Sequence, residues 1–369
     1  MSVTREQVVE ALRPVEDPEL HRSIVDLGML RDVQIEGGTV SILIALTIAG
    51  CPLRNEITNR VKGAVAPLAG VANVNLDFTV MTDQEREELR MKLHGDPGST
   101  AGQGQAHGHA EGRAIPFANP DNKTRPLLIS SGKGGVGKSS VTTNLAVALA
   151  AQGHTVGVLD ADIYGYSIPR MLGANTDPVA IDRMLLPSEA YGVRCISIGY
   201  FVPEGQAVVW RGPMLHKALE QFLTDVFWDE PDFLLIDMPP GTGDIALSLS
   251  QYLPKGEVYV VTTPQQAAQK VARLSAAMAT KVGLPVKGVI ENMSWFTGDD
   301  GKKYELFGSG GGQELADELN VPLLGQLPLV QQLREGGDDG HPIAAIAPES
   351  ETGKIFHDMA RMIAADNKP

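Results

Sequence analysis

Gly132-Lys133-Gly134-Gly135-Val136-Gly137-Lys138-Ser139 decides the fold of this 369-residue chain. Ahead of it Leu127-Leu128-Ile129-Ser130 reads as a buried strand, and behind it Ser140 to Ala151 reads as a helix, so a glycine-rich turn links a strand to a helix N-terminus. Such a turn binds phosphate. Its glycines let backbone N–H groups converge on a polyanion, and the helix start adds positive potential. Lys138 is placed to reach the outer phosphates and Ser139 to ligate Mg²⁺. The run Gly132, Lys133, Gly134, Gly135, Val136, Gly137, Lys138, Ser139 and Ser140 is therefore the expected nucleotide-binding stretch.

A second lysine directly after the first glycine is not needed to cradle a phosphate in the same subunit. With Lys133 there, the loop resembles the deviant form of the phosphate-binding motif. In that form the lysine crosses a dimer interface to the ATP of the other subunit and stabilises transition-state charge. A solvated loop lysine is the other reading.

Working outward, Val156-Gly157-Val158-Leu159-Asp160-Ala161-Asp162 is a buried strand ending in two carboxylates that face the same way. Carboxylates at a strand end are costly to bury unless they are used. Beside a phosphate loop, Asp162 is expected to orient the attacking water and Asp160 to support Mg²⁺ through its hydration shell, although both also suit capping the Ile163-Tyr164-Gly165 turn. Phe233-Leu234-Leu235-Ile236-Asp237 is a second apolar run ending in an acid, and Asp237 is the expected metal-side residue. It enters Met238-Pro239-Pro240-Gly241-Thr242-Gly243-Asp244, a loop able to change shape with the γ-phosphate, or else a plain strand-to-helix turn. Strands recur before helices at Leu127, Val156, Phe233, Val258, Val286 and Leu323, with a further helix from Met214 to Trp228. That rhythm predicts an α/β fold with a mostly parallel sheet, helices on both faces and the ATP site at the C-terminal strand ends.

Upstream, Thr4 with Gln7 and Thr82 with Glu85 form two capping boxes, opening helices to about Arg13 and through Leu93. Between them Arg31 to Glu36 and Thr39 to Leu46 flank Gly37-Gly38 as a hairpin, and Val71 to Val80 alternates as a third strand. Residues 1–94 thus read as a small α+β domain, Gly95 to Asn122 as a flexible linker with almost nothing to bury, and 123–369 as the nucleotide-binding domain. The net charge of −14 argues against nucleic acid or an anionic membrane as partner. With no long apolar run and no leader signature, a cytoplasmic location is expected. Only Cys51 and Cys195 occur, too few for a disulfide framework. Ile355, Phe356, Met359 and Ile363 in the Lys354 to Ala365 helix are assigned to core packing rather than to membrane attachment.

The two-lysine loop, Asp160-Ala161-Asp162-Ile163-Tyr164-Gly165, Trp210-Arg211-Gly212-Pro213-Met214, Asp237 to Asp244 and Glu291-Asn292-Met293-Ser294 together resemble the Mrp (ApbC-like) family of P-loop ATPases, relatives of MinD, ParA and the nitrogenase iron protein. The resemblance implies a nucleotide-bridged homodimer, slow Mg²⁺-dependent ATP hydrolysis, and delivery of iron–sulfur clusters to apoprotein clients. It also implies that Asn292 hydrogen-bonds adenine, with Pro328 on the same side of the pocket. Asp17-Pro18-Glu19, Ser23 to Gly28 and Thr47 to Pro52 resemble the small domain of iron–sulfur assembly factors. Cys51 precedes Pro52, a favourable first helical residue, so its thiol is either reactive or iron-ligating near a helix N-terminus, or a small packing side chain.

One departure is plain. Many members of that family carry a Cys-x-x-Cys pair between the Glu-Asn-Met-Ser stretch and a glycine-rich stretch, whereas here Trp295 to Leu306 holds no cysteine. Cys195 lies in the apolar run Val193 to Ile198 and reads as packing. Two functions stay open: an ATP-hydrolysing cluster carrier, or a nucleotide-driven protein switch that carries no cluster.

Overall fold

The computed structural model describes residues 3–47, 53–94, 114–163, 165–181, 183–202, 212–241 and 244–366. They form two compact units, one holding the described residues up to 94 with Ala180–Leu186, the other holding the remainder.

In the first unit α1 (Arg5–Leu12) opens at Thr4, whose hydroxyl accepts from the Gln7 amide while the Gln7 side chain accepts from the Thr4 amide. β1 (Leu30–Glu36) and β2 (Thr39–Leu46) are antiparallel across Gly37 and Gly38, both at positive φ, the backbone that a two-residue hairpin turn needs. α2 (Arg54–Val65) then carries the chain back so that β3 (Asn73–Val80) pairs parallel to β2. α3 (Asp83–His94) starts on the Thr82–Glu85 capping box. Val40, Ile42 and Ile44 alternate into the core, where Val8, Leu12, Ile57, Val61 and Val65 meet them at helical spacing. The sequence places two helices around the strands; α2 is a third, and Cys51 and Pro52 before it lie outside the described residues.

The second unit begins with β4 (Arg125–Ser131), α4 (Lys138–Ala151), β5 (Val156–Asp160) and α5 (Ile168–Leu172). In the chain, a short hairpin of β6 (Val179–Ile181) and β7 (Met184–Leu186), grouped from Ala180 on with the first unit, precedes β8 (Ser188–Ala190) and β9 (Val193–Ser197) of the second. Then come α6 (Gly212–Thr224), β10 (Phe233–Asp237), α7 (Asp244–Tyr252), β11 (Glu257–Thr262), α8 (Gln266–Lys281) and β12 (Val286–Glu291). A two-stranded ribbon, β13 (Phe296–Thr297) and β14 (Lys303–Tyr304), leads to α9 (Gly311–Leu319), β15 (Leu323–Gln326), α10 (Gln331–Asp339), α11 (Ile343–Ile346) and α12 (Glu351–Ala365).

Eight strands make one sheet in the order β15-β12-β11-β4-β10-β5-β9-β8, parallel throughout except for the edge pair β8–β9. All six strands expected from the sequence are in it; β8 at the edge is not foreseen. Side-chain alternation along β4 shows why both faces are covered. Leu127 and Ile129 pack against Val141 and Leu145 of α4 and Phe356 and Met359 of α12, while Ser130 points the other way and bonds Ser275 of α8 at 2.7 Å. Phe356, Met359 and Ile363 of α12 are all buried, so that helix's apolar stripe serves the core.

Two boundaries differ from the sequence reading. The linker is expected to run to Asn122, but Ile115 and Phe117 are buried around a 3₁₀ turn, Pro116–Ala118, and Lys255 Nζ bonds the carbonyls of Pro120 and Asn122. Two apolar side chains are enough to hold this segment to the unit. Of the linker histidines, His107 and His109 lie outside the described residues. The helix expected from Met214 to Trp228 ends at Thr224; Trp228 folds back to donate to the Phe222 carbonyl at 2.9 Å, and Asp229 and Glu230 take positive φ, which a helix cannot continue through.

Candidate functional site

β4, β10 and β5 are neighbours in register, Asp237 lying opposite both Ile129 and Asp160. Parallel strands of matched length therefore bring the phosphate loop after β4 and the acids ending β10 and β5 to one edge of the sheet. Apolar strands do this work; the polar residues ride on their ends.

The loop's glycines have different reasons to be glycine. Gly134 and Gly135 are exposed and a Cβ on either would meet open space, so backbone approach by a ligand, rather than crowding in the protein, suits Gly134, while Gly135 is also called for by its φ of +80°. Gly132 has no such room, since its Cβ would fall 2.2 Å from the Val271 backbone in α8. Gly137 has φ +83° and its Cβ would fall 2.1 Å from Asn292 Nδ2. Val136 is buried beneath the loop.

Under the loop, Lys138 starts α4 at only 5% exposure. Its Nζ is 2.6 Å from Asp237 Oδ2 and 3.6 Å from Asp162 Oδ2. Ser139 Oγ donates to the same Asp237 oxygen at 2.6 Å, and Thr142 Oγ1 reaches Asp237 Oδ1 at 2.7 Å. Sequence reasoning omits Thr142: one of two adjacent threonines inside a helix carries no mark until α4 is laid against β10. Burial raises the Asp162 carboxyl above its ordinary range, with Lys138 opposing and Asp237 adding to the shift, which brings it nearer to a base working at neutral pH. Ser139 and Asp237 together offer hard oxygen donors of the kind Mg²⁺ takes. Lys138, Ser139, Asp162 and Asp237 are thus brought together as the sequence expects.

Asp160 is held by the chain that follows it. Its Oδ1 accepts from the Asp162 amide and its Oδ2 from the Ser167 and Ile168 amides and Ser197 Oγ. Burial, with Asp237 beside it, raises its carboxyl well above the usual range. The carboxylate thereby fixes the turn into α5, with three of these donors on Oδ2 and one on Oδ1.

Lys133 lies to the side, its Nζ 3.3 Å from Gln265 Oε1 in the same subunit. Ser140 Oγ faces Met171 Sδ rather than the loop. Asn292, expected on adenine, is buried against the phosphate loop: Nδ2 donates to the Val136 carbonyl at 2.9 Å and Oδ1 accepts from the Met293 amide. One amide hydrogen and one lone pair are left for a base edge. Pro328 is buried between the Ser294–Leu327 and Leu329–Trp295 backbone bonds. Glu291, of the Glu-Asn-Met-Ser stretch, is fully buried and ties three elements, accepting from Ser294 Oγ, Gln326 Nε2 and the Gly312 amide at the start of α9.

The two thiols part company. Cys195 is fully buried in β9, and burial raises its pKa, so it has the character of an inert packing residue. Cys51, Trp210, Arg211, Thr242 and Gly243 lie outside the described residues. The β13–β14 ribbon occupies the stretch without a cysteine pair, and Phe296, Tyr304 and Leu306 are exposed there. Among the described residues no group of three or more His, Cys, Asp or Glu side chains is placed to hold a metal ion, and no helix is long and apolar enough to cross a membrane.

Comparison with known proteins agrees with this geometry. Residues 122–364 match the family described as NUBPL iron-transfer P-loop NTPase, and residues 5–76 match the family described as iron-sulfur cluster assembly protein. The chain is 49% identical to the iron-sulfur cluster carrier protein of Mycobacterium leprae, over 94% of this chain and 89% of that one. It is 42% identical to the protein of that name from Synechocystis, over 98% and 97%. Among solved structures it resembles a nucleotide-binding protein from Archaeoglobus fulgidus in complex with ADP, with a TM-score of 0.54 and 33% identity over 63% of this chain and 93% of that one.

Proposed function

Since this chain belongs to the NUBPL iron-transfer P-loop NTPase family, we propose that it is an ATP-hydrolysing carrier that binds iron–sulfur clusters and hands them to apoproteins. The observation that carries the nucleotide half is the convergence of Lys138, Ser139, Asp162 and Asp237 beneath an open glycine loop. In this reading the loop amides and Lys138 hold the β- and γ-phosphates, so Lys138 exchanges two carboxylates for phosphate oxygens. Ser139 and Asp237 are the residues that would hold Mg²⁺, which supplies positive charge against the phosphoryl oxygens when bound. Asp162 orients the attacking water, and its upward shift suits it to accept a proton. Asn292 and Pro328 border the adenine.

Lys133 is assigned to the nucleotide of a second copy. Its contact with Gln265 is a single long hydrogen bond, 3.3 Å, from the ammonium to an uncharged amide oxygen, a weaker hold than the anionic oxygens of a triphosphate in a paired subunit. The chain therefore works as a homodimer closed over ATP.

The cargo half rests on the family and on relatives named as cluster carriers at 49% and 42% identity. With Cys195 sealed in β9, Cys51 is the thiol assigned to the cluster, one from each copy, the remaining ligands coming from non-thiolate groups or the client. A second reading, a dimeric switch without cargo, is favoured by one observation: the β13–β14 ribbon offers no soft ligand. Anaerobic reconstitution with iron and sulfide separates them. Charge-transfer absorbance that disappears in Cys51→Ala supports carriage at that thiol; wild-type protein that never develops absorbance leaves the switch.

A further inference from the structure

Asp237 is held from two sides. Oδ2 takes Lys138 Nζ and Ser139 Oγ, both at 2.6 Å, and Oδ1 takes Thr142 Oγ1 at 2.7 Å. Thr142 lies one turn along α4 from Lys138, and both Thr142 and Asp237 are completely buried. The threonine hydroxyl has a single hydrogen and two acceptors in range, since the Lys138 carbonyl is 3.0 Å away. The carboxylate oxygen is nearer, 2.7 Å against 3.0 Å, and belongs to a group in a salt bridge with Lys138, which makes it the stronger acceptor. The bond to Asp237 therefore prevails over the ordinary bond of a helical threonine to the preceding turn.

The carboxylate torsion of an aspartate is soft and nearly two-fold. The plane of the carboxylate is therefore set by its hydrogen-bond partners, and the tie from Oδ1 to Thr142 of α4 is one of them. When Lys138 moves to the phosphates, Asp237 loses its shortest charged contact, and Thr142 becomes the group that keeps Oδ2 aimed at Ser139. We propose that Thr142 is a positioning residue for the metal side of the site, acting through Asp237. The proposal rests on the magnesium and nucleotide reading above.

The test is binding, not turnover. The affinity of the full-length protein for a non-hydrolysable ATP analogue is measured by calorimetry in excess Mg²⁺ and in EDTA, for wild type, Thr142→Val, Thr142→Ala and Thr142→Ser. The two affinities give the factor by which the metal tightens the nucleotide. In Thr142→Val that factor should fall about tenfold, the scale of one hydrogen bond to a charged group, while affinity in EDTA changes less than about twofold. Thr142→Ser, which keeps the hydroxyl, should recover the wild-type factor. Thr142→Ala should behave as Thr142→Val and decides the matter if the branched variant does not fold. Val and Ala variants with the wild-type factor would overturn the proposal, as would a serine variant as impaired as valine, since packing would then be the cause. Wild-type protein that binds the analogue equally well without Mg²⁺ would fail the magnesium reading itself and this inference with it.

Discussion

Lys138 Nζ and Asp237 Oδ2 stand 2.6 Å apart, one 5% exposed and the other not at all, so the cation proposed for phosphate and the acid proposed for the metal are paired with each other. Removing one member of such a buried pair leaves the other uncompensated, at a cost of about 3–5 kcal/mol. Lys138→Ala should therefore lose ATP affinity and also melt earlier than wild type. Lys133→Ala touches no buried charge and should keep both fold and affinity while lowering turnover. Equilibrium binding and thermal melting of the two variants check this; equal loss of binding in both would contradict the separate roles.

Gly137→Ala should damage nucleotide binding more than Gly134→Ala. At Gly137 the added Cβ meets Asn292 Nδ2 at 2.1 Å on a backbone with φ +83°, whereas at Gly134 it meets nothing. Strained φ costs about 1–3 kcal/mol, and displacing Asn292 breaks its bond to the Val136 carbonyl. Affinity for ADP should drop about tenfold or more in the first variant. Comparable losses in the two would show that crowding against Asn292 is not what the loop avoids.

Glu291→Gln should destabilise the second unit by about 1–3 kcal/mol, the cost of leaving a buried polar group badly paired. Each Glu291 oxygen accepts from a donor, and an amide NH₂ in either place would face another N–H or O–H. The urea midpoint reports it; an unchanged midpoint would mean the three elements are held otherwise.

Glu19 makes stability fall as pH rises. Burial first, and Asp17 second, push its carboxyl up to about 7 from 4.5. The folded state thus keeps a proton that the unfolded chain releases, so between about pH 4.5 and 7 the native state binds more protons and loses stability with increasing pH. Glu19→Gln removes that dependence. The variant should match wild type near pH 4.5 and exceed it at pH 8, by on the order of 1–2 kcal/mol after allowance for partial exposure. Denaturation midpoints at the two pH values decide; a variant no more stable than wild type at pH 8 would place the burial penalty elsewhere.

The strands that build the site were legible because both-face burial makes them nearly unbroken apolar runs ending in polar residues, as Leu235-Ile236-Asp237 and Val158-Leu159-Asp160 do. The capping boxes at Thr4 and Thr82 were legible because each is a local, four-residue device. What escaped depends on residues distant in sequence. Thr142 meets Asp237 only across 95 residues, and Glu291 becomes a tie only once α9 and β15 are in place. The spacing of Asp160 from Asp162 says nothing of its bond to Ser197, 37 residues on. Ile115 and Phe117 were overlooked because their neighbours resemble a linker in composition.

In the proposed dimer each nucleotide site is completed by Lys133 of the paired subunit, and mixing two impaired proteins tests that arrangement. Lys133→Ala keeps its own Asp162, and Asp162→Asn keeps its own Lys133. A mixed dimer then contains one site with Asp162 in place and Lys133 arriving from the other chain. ATP hydrolysis by the mixture should exceed the sum of the two proteins assayed apart. No gain on mixing, with both variants binding ATP and forming dimers, would contradict the account.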